Sequence, residues 1–225
     1  ERMFEFSGKR VTVMGLGRFG GGVGITRWLE SRGAEVTVTD LSPAAQLEES
    51  VAAIANLVKK GSVRLRLGEH NVSDFTTCDV VVANPAVPRP WENRYLRAAS
   101  AAGIPITTEI GTLVERLPDR RRVIGVTGSV GKSTTSAMIH HALQDVTGPL
   151  GVRVWLGGNI GGSLLDGLDK ISRRDWIVLE LSSAMLWWIG GRNPATRAIE
   201  RTVCDADDAQ SWSPGIGLVT NISAN

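Results

Sequence analysis

Val123-Ile-Gly-Val-Thr-Gly-Ser-Val-Gly-Lys-Ser-Thr-Thr135 reads as a short buried strand, a glycine-bearing turn and a helix that opens near Lys132. That layout makes a phosphate cradle, because free N–H groups of the turn and the positive end of the helix dipole face one point. Gly128 and Gly131 let the backbone approach a phosphate without a side chain in the way. Lys132 reaches outer phosphates as a point charge, and the Ser133 hydroxyl suits a magnesium ion carried by a nucleotide. The general pattern asks for a glycine where Val126 stands, so what is present is the shorter Gly-x-x-Gly-Lys-Ser-Thr. The plainer alternative is a strand–turn–helix corner whose glycines serve turn geometry alone. The strand before the motif and the helix after it favour a nucleoside triphosphate with magnesium.

Upstream, an apolar strand over residues 10–14 runs into Gly15-Leu-Gly-Arg-Phe-Gly20, a helical pattern over 22–31 and a second strand over 35–39 that ends at Asp40. Strand, Gly-x-Gly-x-x-Gly, helix, strand and acid make a dinucleotide-type fingerprint in its βαβ setting. It admits NAD or FAD with Asp40 on a ribose hydroxyl. It equally admits another diphosphate-containing nucleotide, such as a UDP-sugar, or a tight turn with no ligand.

The totals bound these readings. A chain of 225 residues holds one large domain or two of about a hundred each. A net charge of +2 argues against a dominant role in binding nucleic acid. Cys78 and Cys204, far apart, make neither a disulfide framework nor a metal-ligand spacing, which fits a reducing cytosol. No apolar run reaches the length of a membrane span, and the N-terminal residues do not resemble a signal peptide.

Further along, helices are expected over 43–59, 91–102 and 109–117, with strands over 63–67, 78–83 and 104–107. Asn84 follows the apolar run 78–83, at a strand end where ligands sit in open α/β sheets, or else serves its own turn. Pro118-Asp-Arg-Arg-Arg122 reads as a solvated boundary between two βα series. In the second series a helix is expected over 132–144, a strand over 152–156, a loop at Gly157-Gly-Asn-Ile-Gly161, and a helix over 163–168. A strand over 176–179 delivers Glu180, a magnesium-associated acid or a capping residue. His140 and His141, adjacent on a helix, face different directions and make a poor metal pair. Residues 187–214 read as an excursion whose tryptophans pack, and a last strand covers 216–220.

Taken in order, the glycine-loop domain, Thr127-Gly-Ser-Val-Gly-Lys-Ser-Thr134, Gly157-Gly-Asn-Ile-Gly161, Val178-Leu-Glu-Leu-Ser-Ser183 and Thr220-Asn-Ile-Ser223 resemble the Mur ligases of peptidoglycan synthesis. The Glu-Leu-Ser-Ser run looks most like the branch that adds D-glutamate to UDP-N-acetylmuramoyl-L-alanine. The resemblance implies an α/β chain: a Rossmann-like UDP-substrate domain with a parallel sheet over 1–119, and over 120–225 the N-terminal part of a P-loop-type ATPase domain. It implies that Gly128, Ser129, Val130, Gly131, Lys132, Ser133 and Thr134 hold ATP, with Lys132 and Glu180 catalytic and Ser133 and Glu180 serving Mg2+. Gly15, Gly17, Arg18 and Phe19 would lie by the diphosphate, Asp40 and Leu41 by the uracil, and Asn84, Asn159 and Ser182 along the UDP substrate. The implied reaction is amide formation through an acyl phosphate, in the cytoplasm, by a monomer that neither binds nucleic acid nor inserts in a membrane.

The chain departs from the family at Val130, where Asn is usual, at Ala184 and Met185, where Phe and Gln are usual in that branch, and at Ala86, in place of Gly. The family's following His, modified lysine and third domain would lie beyond Asn225, so this chain is not expected to complete the ligation alone. Two other readings remain: a nicotinamide- or flavin-binding oxidoreductase, and a non-catalytic nucleotide-binding protein on a ligase scaffold.

Overall fold

A computed structural model describes residues 5–17, 20–190 and 212–223. The chain divides into two compact units, with the change from one to the other between Thr112 and Leu113.

The first unit is built on five parallel strands: β1 (Arg10–Met14), β2 (Glu35–Asp40), β3 (Val63–Leu67), β4 (Val80–Ala83) and β5 (Ile106–Thr108). Their order is β3-β2-β1-β4-β5. The apolar runs explain the centre, since β4 is buried at every position and β1 at all but Arg10. The order reverses between β1 and β4, so their C-terminal ends open a crevice there.

Among the described residues four helices belong to this unit, α1 (Gly21–Ser31), α2 (Glu48–Lys60), α3 (Val72–Thr76) and α4 (Arg94–Ala101), and α5 (Glu109–Val114) spans the change of unit. In α2, Glu48 and Glu49 stand in the first turn and Lys59 and Lys60 in the last, each sign complementing the helix dipole. The expected helix over 43–59 is broken at Leu47, which leaves helical dihedrals and is buried; a 3-10 turn over Ala44–Gln46 precedes it. The helix expected from residue 91 begins at Arg94, because the Asn93 carboxamide caps it by accepting from the N–H groups of Tyr95 and Leu96.

The second unit carries a four-stranded parallel sheet, β7 (Val154–Gly158), β8 (Trp176–Glu180), β6 (Val123–Thr127) and β9 (Ile216–Val219), in that order. The helix α6 (Lys132–Thr147) lies over β7 and β8, and its Ile139 and Leu143 pack on Ile124, Val126 and Val178 of the sheet, with Leu156 beside them. A short helix, α7 (Ser183–Ile189), follows β8; the Ser182 hydroxyl caps it by accepting from the Met185 N–H at 3.2 Å. It takes up the start of the stretch expected as an excursion, and residues 191–211 lie outside those described.

Two further expectations are corrected here. Strand β7 is shifted two residues, and Gly157 and Gly158, expected in a loop, pair with Leu179 and Glu180. The segment expected as a helix over 163–168 is a 3-10 helix, Leu164–Lys170, capped by Ser163. A Cβ at Gly157 would lie 2.5 Å from the Leu164 side chain, so the missing methyl lets that segment close on the strand.

Buried Asp175 ties β7 to the start of β8. It accepts from the Trp155 indole (2.9 Å), the Ser172 hydroxyl (2.8 Å) and the Ser172 N–H (3.0 Å), and pairs with Arg153 at 3.1 Å. Burial alone would raise its pKa, but the hydrogen bonds from Ser172 and Trp155 and the Arg153 charge outweigh it and hold the carboxyl below its ordinary value. A depressed folded-state pKa stabilises above the unfolded value of about 3.9 and is lost as pH falls through the folded value. Asp175→Ala should therefore destabilise the second unit by about 3 kcal/mol at pH 7 in urea denaturation. The gap between variant and wild type should narrow as the pH is taken down below about 4.

Candidate functional site

In the first unit the expected residues meet at the C-terminal ends of β1, β2 and β4. The Gly15 N–H donates to the Thr39 carbonyl, and the Asn84 N–H to the Met14 carbonyl. A Cβ at Gly15, whose φ is +94°, would fall 2.9 Å from the Asn84 Cβ, so only glycine lets Asn84 close over the loop. The Asn84 carboxamide oxygen accepts from the Ala86 N–H at 2.9 Å, forming its own turn.

Asp40 is engaged on the backbone. Its Oδ2 accepts from the Gly17 N–H (3.1 Å) and its Oδ1 from the Ser42 N–H (2.8 Å), so the carboxylate shapes the glycine loop. Leu41 beside it is 64% exposed, leaving an apolar surface next to that carboxylate. Arg18 and Phe19 lie outside the described residues.

Two contributors escaped sequence reasoning. The Ser50 hydroxyl, buried on α2, donates to the Gly17 carbonyl at 2.7 Å. His70 hydrogen-bonds the Thr39 hydroxyl and meets the Phe75 and Tyr95 rings edge-on. Burial lowers its pKa against the raising influence of Asp40 and Asp74. Neither residue stands in a motif; α2 carries Ser50 to the glycine loop, and the pairing of β2 with β3 brings His70 to Thr39.

In the second unit the loop after β6 lies beside the end of β8. Val126 pairs with Glu180 across the two strands, and the Leu181 N–H donates to the Val126 carbonyl at 2.8 Å. Gly131, with φ +86°, starts α6; the helix has no side-chain cap and no acid in its first turn. Its opening N–H groups are therefore available to an anion. Lys132 Nζ folds back on the Gly128 carbonyl (2.8 Å) and the Ser129 carbonyl (3.2 Å). Ser133 and Thr134 are exposed in that first turn, and Val130 is 69% exposed.

Glu180 is 1% exposed. Its Oε1 accepts from the Asn159 carboxamide at 3.0 Å, and its Oε2 has no hydrogen-bond partner among the described residues. A buried carboxylate with one bare oxygen is the donor set a hard cation asks for. Among the described residues no three His, Cys, Asp or Glu side chains converge, so a magnesium ion here would draw its other oxygens from the Ser133 hydroxyl, phosphate and water. Asn159 is fixed twice on Glu180, since its N–H also donates to the Glu180 carbonyl at 2.9 Å. Gly15, Gly17, Asp40, Leu41 and Asn84 thus belong to the first unit, and Asn159, Ser182 and the phosphate loop to the second.

The Mur ligase MurD-like N-terminal domain profile matches residues 9–108. The chain belongs to the Mur ligase family. It is 40% identical over 190 residues to the UDP-N-acetylmuramoylalanine–D-glutamate ligase of Roseiflexus sp. (strain RS-1), covering 83% of this chain and 37% of that protein. It is 36% identical over 204 residues to the enzyme of the same description from Borreliella afzelii (strain PKo), covering 91% and 42%. The chain thus spans about two-fifths of the length of the curated relatives it matches. The crystal structure of UDP-N-acetylmuramate:L-alanyl-gamma-D-glutamyl-meso-diaminopimelate ligase from Neisseria meningitides shares the fold, at 17% identity and a TM-score of 0.54, over 97% of this chain and 62% of that one. No helix among the described residues is long and apolar enough to cross a membrane.

The placement of Asn159 depends on one glycine. Gly158 has φ +90°, and a Cβ there would lie 2.2 Å from the Glu180 carbonyl oxygen. Gly158→Ala should cost about 2 kcal/mol or more and part Asn159 from Glu180. Gly217→Ala, where a Cβ meets nothing within 4 Å, should stay within about 0.5 kcal/mol of wild type. Paired thermal melts of the two variants check this.

Proposed function

We propose that this chain supplies the UDP-substrate and ATP-binding parts of a ligase that joins D-glutamate to UDP-N-acetylmuramoyl-L-alanine. In this reading residues 1–119 hold the UDP substrate and 120–225 hold ATP, in a cytoplasmic monomer. The observation that carries it is Glu180, a buried carboxylate with one oxygen unpartnered among the described residues, one strand from a phosphate loop whose helix has no side-chain cap. A hydride-transferring enzyme has no use for that pairing.

The chemistry follows in two steps. An oxygen of the substrate carboxylate attacks the γ-phosphorus of ATP, the bond to the β–γ bridging oxygen breaks, and ADP leaves. The amine of D-glutamate then attacks the acyl carbon, loses a proton, and inorganic phosphate departs, leaving the amide. The first step brings two anions together, so fixed positive charge must offset their repulsion. Lys132 is the residue suited to it: its ammonium now rests on loop carbonyls and would turn to the outer phosphates. The first-turn N–H groups of α6 would add the helix dipole. Magnesium, held by Glu180 and Ser133, would neutralise phosphate charge and polarise the γ-phosphoryl group. Asn159 holds one Glu180 oxygen and thereby aims the other. In the first unit, the glycine loop would take the diphosphate on backbone N–H groups, with Asp40 keeping the loop in shape and Leu41 offering a flat apolar neighbour to a base.

Calorimetric titration tests the reading with three ligands: Mg–ATP, UDP-N-acetylmuramoyl-L-alanine and NADH. Binding of the first two without the third is expected; NADH alone would overturn the ligase reading. Lys132→Ala should weaken Mg–ATP by at least tenfold, a loss on the scale of one charge-assisted hydrogen bond, and leave the UDP ligand unchanged. Loss of both ligands in a folded variant, or of neither, would refute the two-site assignment.

A further inference from the structure

The phosphate loop is held from outside by residues some ninety positions later in the chain. Asn221 Oδ1 accepts from the N–H groups of Ser129 (3.1 Å) and Val130 (2.9 Å), and its main-chain carbonyl also faces the Ser129 N–H at 3.0 Å. The Thr220 hydroxyl reaches the Val130 carbonyl (2.6 Å) and the Thr127 carbonyl (3.2 Å). The Ser223 N–H donates to the Ser129 hydroxyl at 3.1 Å. The fit leaves no slack, since a Cβ at Gly128 would fall 2.2 Å from the Thr220 hydroxyl. Strand β9, paired along β6 from Ile216 to Val219, delivers these residues to the loop.

This arrangement divides the loop's donors. The carboxamide takes up the N–H groups of Ser129 and Val130. The opening N–H groups of α6 have no side-chain cap. The carbonyls of Gly128 and Ser129, which carry the Lys132 ammonium, belong to the same two peptide units whose N–H groups Asn221 holds.

We propose that Asn221 is a positioning residue for nucleotide phosphate, a neutral clamp that fixes Ser129 and Val130 so that Lys132 and the start of α6 face a single anion site. The inference rests on the nucleotide reading above. Neutrality matters to it. A carboxylate would hold the same two N–H groups at least as well, but would set a negative charge beside the polyphosphate.

Asn221→Ala and Asn221→Asp test the clamp by two readouts. Amide hydrogen exchange in the free protein should find Ser129 and Val130 protected in wild type and in Asn221→Asp, and unprotected in Asn221→Ala. Mg–ATP affinity should fall about tenfold in Asn221→Ala, the scale of one net hydrogen bond. It should fall at least as far in Asn221→Asp despite the retained protection, with a loss that shrinks as salt screens the added charge. Adenosine should not discriminate among the three proteins. Equal or tighter Mg–ATP binding by a folded Asn221→Ala would overturn the clamp, as would unprotected amides in wild type. Undiminished Mg–ATP binding by Asn221→Asp would overturn the argument from neutrality. Wild-type protein that binds no Mg–ATP would instead sink the nucleotide reading, and this inference with it.

Discussion

A carboxylate taken out of water with one oxygen unpartnered costs several kcal/mol unless a cation or proton answers it. Glu180, whose Oε2 meets no partner among the described residues, ends a central strand of the second unit. The apolar run that makes β8 a central strand also carries Glu180 inward at its last residue. The register with β6 sets it beside the strand that feeds the phosphate loop. The register with β7 brings Gly158 against it, and the absent side chain there lets Asn159 bond both its main chain and its carboxylate.

The two units solve one problem with different chemistry. Each has a parallel sheet whose strand ends present a glycine loop, and each holds that loop by a side chain arriving from a later strand end. In the first unit it is the Asp40 carboxylate on the Gly17 N–H; in the second it is the Asn221 carboxamide on Ser129 and Val130. The first clamp is a carboxylate and the second is a neutral carboxamide.

Most of the architecture was legible because buried parallel strands and glycine motifs write themselves in local sequence. The runs at 10–14, 123–126 and 176–179 became strands where expected, and the helix behind each glycine loop began within a residue of its reading. What escaped was decided by contacts distant in sequence. Leu47 breaks a helical pattern in order to be buried. Gly157 and Gly158 look like loop residues but complete β7, because Leu164 and Glu180 need the space. The five-residue α3 and seven-residue α7 are too short to show a period, and side-chain caps from Asn71 and Ser182 define their starts. In the site, Lys132 and Glu180 were readable from motif and strand end, whereas Ser50, His70 and the clamping role of Asn221 were not.

The reach of that clamp has a bearing on biosynthesis. Val130 and Asn221 are 91 positions apart, so a ribosome must add the whole stretch between them before the loop can be held. Strands β6 and β7 are not neighbours and both wait for β8 to pair, and the loop after β6 stays unclamped until β9 docks. Synthesis of the later stretch thus times the ordering of this loop. A nascent chain that ends between residues 180 and 216 holds the sequence of β6, β7 and β8 but not the residues that clamp the loop.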